Sequence, residues 1–138
     1  GFIQGVIPEF FREEGVEKIY PECDLLTFTD SMAQRKTMME DLADAFIIAP
    51  GGIGTLEEFF EVITLKQLGR HNKAVAIFNI SGYYDTLENF MAEMAEKSFL
   101  AHECRQMYKY FTDGDDLLRY IENYSPDDVS WRTLKKVD

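Results

Sequence analysis

The sequence predicts an α/β fold with a doubly wound parallel sheet. Short apolar runs that are typical of buried strands alternate with longer segments of helical periodicity. One of these runs, residues 46–48, stops at Pro50 and two glycines, and an amphipathic helix follows. The 138 residues, of which 46% are hydrophobic, suffice for one domain with a sizeable core. We therefore expect a parallel sheet with helices on its faces.

The predicted elements alternate along the chain in the order that a parallel sheet requires. In chain order we predict a strand at 2–7, a strand at 25–29, a helix at 31–42, a strand at 45–49, a helix at 55–68 and a strand at 74–79. A helix at 84–96, a short strand at 108–112 and a helix at 115–123 complete the layer. These elements form one domain over residues 1–124, and residues 125–138 are predicted to be a loose polar tail.

The helix at 31–42 carries a basic residue on its predicted inner face. Its apolar positions recur at roughly helical spacing: Met32, Met39 and Leu42. Arg35 lies three residues after the first of these and four before the second, so it belongs to the stripe that faces the interior. A charge there needs a partner, which is either Glu58 in a structural salt bridge or the anion of a ligand.

The stretch APGGIGTLEE, residues 49–58, joins a predicted strand to a predicted helix. Its glycines have no Cβ, so the backbone can approach a ligand closely, and the first N–H groups of the helix lack intrahelical partners. Those groups and the helix dipole attract an anion. The loop lacks both the GK[ST] ending of a P-loop and the spacing of GxGxxG, which favours a mononucleotide or sugar phosphate over ATP or NAD.

The same residues also permit a purely structural interpretation. Thr55 and Glu58 stand at the T-x-x-E spacing of a capping box, in which each side chain satisfies a backbone N–H at the start of a helix. The glycines would then make only a tight turn. From the loop residues alone, both interpretations stay open.

The overall charge and the cysteines exclude several classes of function. A formal net charge of -11 argues against a general surface for nucleic-acid polymers or anionic membranes, which require clustered basic residues. No run approaches the roughly 20 apolar residues of a membrane span. Cys23 and Cys104 lie far apart and lack the spacing of metal ligands, so we expect structural thiols in a reducing, cytoplasmic setting.

The segment PGGIGTLEE, residues 50–58, matches without a gap the motif PGGxGTxxE of the LOG family. These proteins are the cytokinin riboside monophosphate phosphoribohydrolases once labelled lysine decarboxylases. Further similarity lies at GVIP (5–8), QRK (34–36), ADAFIIAPGG (43–52), EVITLKQLG (61–69) and NISGYYDTL (79–87), and it extends to about Asn123. The resemblance implies a Rossmann-like fold.

Two features depart from the family pattern. Many members carry a histidine two residues before the R-K pair, where this chain has Ala33. Such proteins also usually begin with a strand, a helix and a second glycine-rich loop before GVIP, whereas this chain starts at Gly1. We expect that the chain lacks an N-terminal βαβ portion that supplies part of the nucleotide pocket.

The resemblance implies hydrolysis of the N-glycosidic bond of AMP-like or cytokinin riboside 5'-monophosphates, which releases the free base and ribose 5-phosphate. The catalytic pair of the family maps onto Arg35 and Glu58. Glu58 would stabilise oxocarbenium character on the ribose and orient or deprotonate a water, while Arg35 would hold the substrate and keep Glu58 ionised. Neither His71 nor His102 is identified as the acid that protonates the leaving base.

The resemblance also implies where the phosphate lies. The expected phosphate-binding residues are Gly51, Gly52, Ile53, Gly54 and Thr55, with Lys36 as a charge that faces the phosphate. Neither a metal nor an organic cofactor is required. Nucleosides without the 5'-phosphate should react poorly, because the helix end would lose its anion.

Three alternatives bear on this prediction. The same fold could serve a non-catalytic nucleotide or cofactor carrier, which needs the glycine loop but no water-activating carboxylate. The old decarboxylase label would need a pyridoxal phosphate lysine, and nothing around Lys36, Lys66 or Lys73 specifies one. The helix at 55–68 is unusually apolar, which indicates either a homodimer interface, as the resemblance implies, or ordinary burial against the sheet.

Overall fold

The structure, a computed structural model, describes residues 1–16 and 18–126. The chain divides into two compact units, Gly1–Ala43 and Asp44–Asp138. Both units are α/β, with parallel strands flanked by helices, as in Rossmann-like folds. The fold class predicted from the sequence is therefore confirmed. Most of the predicted tail at 125–138 lies outside the described residues.

The described residues of the first unit form two strands and two helices. In chain order they are β1 (Gln4–Pro8), α1 (Glu9–Glu14), β2 (Leu25–Thr29) and α2 (Met32–Leu42). The strands are parallel, with Gln4 opposite Leu25 and Pro8 opposite Thr29. Parallel strands need a crossover connection, and α1 lies within it. The sequence analysis predicted no helix there.

The second unit has a three-stranded parallel sheet in the order β3-β4-β5. Its elements are β3 (Ala45–Ile48), α3 (Ile53–Gln67), β4 (Ala74–Phe78), α4 (Asp85–Glu96), β5 (Lys109–Phe111) and α5 (Gly114–Glu122). Short 3-10 turns precede α4 at Ile80–Gly82 and β5 at His102–Gln106. Every predicted strand and helix is present, with ends that differ by no more than two residues.

The core of the second unit surrounds its central strand. In β4, the four residues from Ala74 to Ile77 are at most 2% exposed, as expected for a strand buried on both faces. Phe59, Val62 and Ile63 of α3 pack against this strand, together with Met91 of α4. The core therefore fixes the start of α3 relative to the end of β3.

Candidate functional site

The glycine loop leads directly into α3, which begins two residues earlier than predicted. Gly52 is the N-cap residue, with φ −93° and ψ −152°, and in the described chain no side chain caps it. Thr55 is therefore the third residue of the helix, and the capping-box interpretation is wrong. A glycine N-cap offers no side-chain acceptor, so the first-turn N–H groups of Ile53, Gly54 and Thr55 stay available to a ligand.

The glycines of this loop have two different roles. A Cβ at Gly52 or Gly54 would meet no atom within 4 Å, and Ile53 is 88% exposed. At Gly51, a Cβ would lie 2.1 Å from Oγ1 and 2.9 Å from Cβ of Thr55. Position 51 thus requires glycine because a side chain there would collide with Thr55. Gly52 and Gly54 instead leave open space in front of the helix end.

Glu58 stands half-buried in the second turn of α3. It lies four residues after Gly54, so both occupy the same helix face. Because helical side chains lean toward the N-terminus, the carboxylate of Glu58 extends over the first turn. A single helix thereby brings together an open N-terminus, of the kind that attracts anions, and a carboxylate.

Arg35 belongs to the first unit, where α2 follows β2. Ser31 caps α2 and accepts a hydrogen bond from the Gln34 N–H at 3.1 Å. The half-buried Arg35 donates from Nε to the carbonyl of Val6 in β1 at 3.0 Å. Lys36 beside it is also half-buried. The hydrogen bond to β1 fixes the direction of the Arg35 guanidinium.

The predicted apolar stripe of α2 is wrong. Three of its positions are exposed: Met32 at 36%, Met39 at 36% and Leu42 at 59%. In the described structure, no residue of α2 is buried. The two-stranded sheet of this unit covers only part of the helix, and Arg35 reaches that sheet through a hydrogen bond instead of through apolar packing.

Arg35 also lines a cleft of about 190 Å³ within the first unit. The cleft lies at the carboxyl end of β1, where ligands of parallel sheets commonly bind. Its other lining residues include Val6, Pro8, Phe11, Lys18 and Tyr20. Lys18 and Tyr20 were not among the predicted site residues. Arg35 and Glu58 lie in different units, so their pairing stays a prediction.

The imidazole of His71 is held by the backbone of the second unit. Its Nε2 lies 2.9 Å from the carbonyl of Val62, and its Nδ1 accepts from the Lys73 N–H at 3.2 Å. Burial lowers the pKa of His71. Val62 is nine residues beyond Ile53, about 13 Å along the helix. His71 is therefore a structural histidine, not an acid at the glycine loop.

Lys66 is also accounted for by structural contacts. Its side chain is 2% exposed, and its Nζ donates to the carbonyl of Lys73 at 2.8 Å, the carbonyl of Met107 at 3.0 Å and the hydroxyl of Tyr124 at 2.8 Å. A Schiff-base lysine must be deprotonated and accessible to its carbonyl partner. These contacts favour a structural role over the decarboxylase alternative.

The sequence analysis missed two tyrosines that contact the glycine loop. Tyr83 donates to the carbonyl of Gly51 at 2.8 Å, and Tyr84 donates to the carbonyl of Ala49 at 2.7 Å. Both follow a Ser-Gly turn at 81–82, and that dipeptide is a turn signal. The turn signal could have placed the tyrosines in a loop, but not beside Gly51.

The described residues contain neither a cluster of metal ligands nor a membrane-spanning helix. Within 1–16 and 18–126, no three histidine, cysteine or acidic side chains come together as a metal site would require. Over the same residues, no helix has the length and apolar character of a membrane span.

Comparison with known proteins identifies related chains. A family model described as "possible lysine decarboxylase" matches residues 1–121. Cytokinin riboside 5'-monophosphate phosphoribohydrolase LOG4 of Arabidopsis thaliana is 44% identical over 95 residues, which cover 69% of this chain and 44% of LOG4. A second relative is LOGL3 of Oryza sativa subsp. japonica, which is named a probable cytokinin riboside 5'-monophosphate phosphoribohydrolase. It is 38% identical over 127 residues, which cover 88% of this chain and 57% of LOGL3. The chain thus spans about half the length of these relatives.

Proposed function

Because this chain belongs to the family described as possible lysine decarboxylases, and its relatives are named cytokinin riboside 5'-monophosphate phosphoribohydrolases, we propose that it hydrolyses N-glycosidic bonds of such monophosphates. We include AMP-like nucleotides among its substrates. The observation that carries the proposal is the start of α3, where an open, uncapped helix end precedes Glu58 by one turn. This arrangement suits a substrate with an anion at one end and a developing positive charge nearby.

The proposed reaction uses the two parts of α3 in different ways. The N–H groups of the first turn bind the 5'-phosphate, and the helix dipole favours its negative charge. The carboxylate of Glu58 stabilises positive charge on the ribose and accepts a proton from the attacking water. The water oxygen bonds to the anomeric carbon as the bond between that carbon and the base nitrogen breaks. The base nitrogen takes its proton from solvent, and Glu58 later returns the proton of the attacking water to solvent.

The role of Arg35 as the second catalytic residue rests on the family motif. Its guanidinium is permanently charged and suited to hold an anionic or hydroxyl-bearing substrate. The hydrogen bond to Val6 and the cleft that Arg35 shares with Lys18 support a binding role within its own unit.

A non-catalytic carrier is the second candidate function. It needs the open helix end but makes no use of a carboxylate there. The names of the relatives favour the hydrolase over the carrier.

The test is to incubate the full-length polypeptide with AMP, with an N6-substituted analogue and with adenosine, and to identify the products. We expect free base and ribose 5-phosphate from both monophosphates, and slow release of adenine from adenosine, because adenosine has no phosphate for the helix end. Tight AMP binding without base release would favour the carrier. Equal turnover of adenosine and AMP would contradict the phosphate site.

We also propose that the protein is a homodimer and works in the cytoplasm. Ordinary burial explains Phe59, Val62 and Ile63 of α3, but Ile53 and Phe60 of this helix and Leu68 directly after it remain exposed. They recur at spacings of seven and eight residues, so they share one face. The cytoplasmic proposal is supported by the free thiols of Cys23 and Cys104.

A further inference from the structure

The carbonyl groups of the glycine loop are bound by two consecutive tyrosines. Tyr83 donates from its hydroxyl to Gly51 at 2.8 Å, and Tyr84 donates to Ala49 at 2.7 Å. All four residues belong to the second unit. The tyrosines come from the connection between β4 and α4, some 30 residues further along the chain. The loop thus receives support from a separate segment.

That segment is itself rigidly built. Tyr84 is 3% exposed, and its N–H donates to Oδ1 of Asn79 at 2.6 Å. The amide of Asn79 donates to Asp85 at 2.7 Å, and its backbone N–H donates to Phe111 in β5 at 2.7 Å. These bonds anchor the tyrosines to the sheet and to the first turn of α4.

The turn before the tyrosines requires a glycine. Gly82 has a φ of +72°, and a Cβ there would lie 2.5 Å from Oδ2 of Asp85. Ser81 also has a positive φ of 53°. Glycine adopts this conformation freely, but a left-handed serine is costly and persists where surrounding contacts determine it. The backbone therefore holds Tyr83 and Tyr84 in one orientation.

The hydrogen bond from Tyr83 sets the direction of a donor on the loop. In a trans peptide, the C=O of one residue and the N–H of the next point in opposite directions. When Tyr83 holds the carbonyl of Gly51, it therefore turns the N–H of Gly52 away from itself. The peptide after Ala49 has no such donor because residue 50 is proline, so the bond from Tyr84 to Ala49 fixes the end of the strand. The same phenol also has a hydrogen bond with the backbone of Gly51.

The same bonds remove a source of repulsion. A free carbonyl beside a phosphate presents negative partial charge to an anion. Hydroxyl donors draw the Ala49 and Gly51 carbonyls toward the tyrosines and neutralise part of that charge. Burial raises the pKa of Tyr84, which keeps this phenol protonated and able to donate.

We propose that Tyr83 and Tyr84 are positioning residues that hold the glycine loop in its phosphate-binding form. This inference rests on the proposed function for the identity of the anion. Tyr83 orients the N–H of Gly52, and Tyr84 fixes the strand end from which the loop departs. Neither side chain needs to contact the substrate.

The test compares Tyr83→Phe and Tyr84→Phe with Tyr110→Phe in the full-length polypeptide. Tyr110 is a matched control, because its hydroxyl is buried with no hydrogen-bond partner among the described residues. Equilibrium dissociation constants are measured for AMP and adenosine, with KM and kcat for AMP. We expect Tyr83→Phe and Tyr84→Phe to raise the Kd and KM of AMP about five- to tenfold, the effect of one hydrogen bond.

The Kd of adenosine should stay unchanged in the same variants, whereas a merely structural loss would weaken both ligands. Tyr110→Phe should bind both ligands like the wild type. Unaltered AMP binding in Tyr83→Phe and Tyr84→Phe would overturn the inference, and so would an equal loss for adenosine. If the wild type binds AMP without turnover, the proposed hydrolysis is refuted but the inference about the tyrosines is not. The Kd values for AMP and adenosine then still test the roles of Tyr83 and Tyr84.

Discussion

Gly51 is the glycine of the loop that the packing requires. A methyl group there would lie 2.9 Å from Cβ of Thr55, a contact that no rotation of the threonine side chain relieves. We expect Gly51→Ala to destabilise the fold by about 1–3 kcal/mol through overpacking. Gly54→Ala is the control, because a Cβ there meets open space and alanine is favoured over glycine within a helix. Thermal melting of both variants makes the comparison, and equal melting temperatures would refute the assignment.

His71 gives the stability of the second unit a specific pH dependence. Burial is the main cause that lowers the pKa of His71 in the folded protein, while the Val62 carbonyl opposes this shift. The unfolded chain takes up a proton near the ordinary value of about 6.5, and the native ring does so only at lower pH. The stabilisation is therefore complete above about pH 6.5 and is lost as the pH falls through the folded pKa.

The measurement is the free energy of unfolding in denaturant between about pH 7.5 and pH 5. His71→Gln should flatten the loss of stability on the acid side. His102→Gln, at an exposed histidine, should leave that slope in place. A wild-type slope in His71→Gln would show that other groups cause the acid sensitivity.

At the residue scale, the glycines of the loop indicated an anion site and the family resemblance indicated Glu58, but neither distinguished the separate roles of the glycines. The T-x-x-E spacing was compatible with a cap at Thr55, and only the backbone shows that Gly52 has this position. The contacts of Tyr83 and Tyr84 cross more than 30 residues of chain. No local pattern encodes a contact of that range.

At the scale of elements, Lys66 joins α3 to three other parts of the second unit. Its ammonium donates to the loop before β4, to Met107 in the segment before β5 and to Tyr124 after α5. We expect Lys66→Met to lower the free energy of unfolding by about 2–4 kcal/mol, because three hydrogen bonds from a buried charge are lost.

Lys97→Met is the matched control for this change in charge and shape. Lys97 is exposed on the surface and pairs with Glu93 one turn away, so its loss should cost less than about 0.5 kcal/mol. Denaturant unfolding measures both variants. Similar losses for the two would mean that the buried ammonium contributes nothing special.

The elements that were predicted best are those with strong apolar patterns. The run AVAIF of β4 is apolar throughout, and the structure buries it on both faces. By contrast, α1 has only six residues, too few for a periodic pattern to develop. The apolar positions of α2 indicated an inward face, but a two-stranded sheet cannot cover such a stripe. Helical spacing shows which residues share a face, not whether a partner covers it.

At the scale of the whole molecule, the exposed face of α3 predicts association. Phe60 is 38% exposed between Ile53 and Leu68, and an apolar face of this kind favours a partner surface. We expect sedimentation of the full-length polypeptide to give a dimer and Phe60→Asp to shift it toward monomer. A monomeric wild type at all concentrations would contradict the homodimer.

Both halves of the candidate site were predicted from the sequence, and the structure gives each half its local geometry. The glycines that follow a strand end pointed to Gly51, and the family motif pointed to Arg35. The cleft beside Arg35 also contains Lys18 and Tyr20, which lie in a connection without regular pattern. Lys18 and Tyr20 reach the cleft because of the path of this connection, and the spacing of residues in the sequence does not predict that path.

The most direct test of the proposed hydrolase is the release of free base from AMP by Glu58→Gln, with Glu57→Gln as the control. Both variants lose one negative charge from adjacent positions of α3, but Glu57 is exposed. We expect Glu58→Gln to lower kcat by about 10²- to 10⁴-fold, the usual contribution of a general base. Glu57→Gln should react like the wild type. A Glu58→Gln variant that releases base at the wild-type rate would contradict the assignment of Glu58 as the catalytic carboxylate.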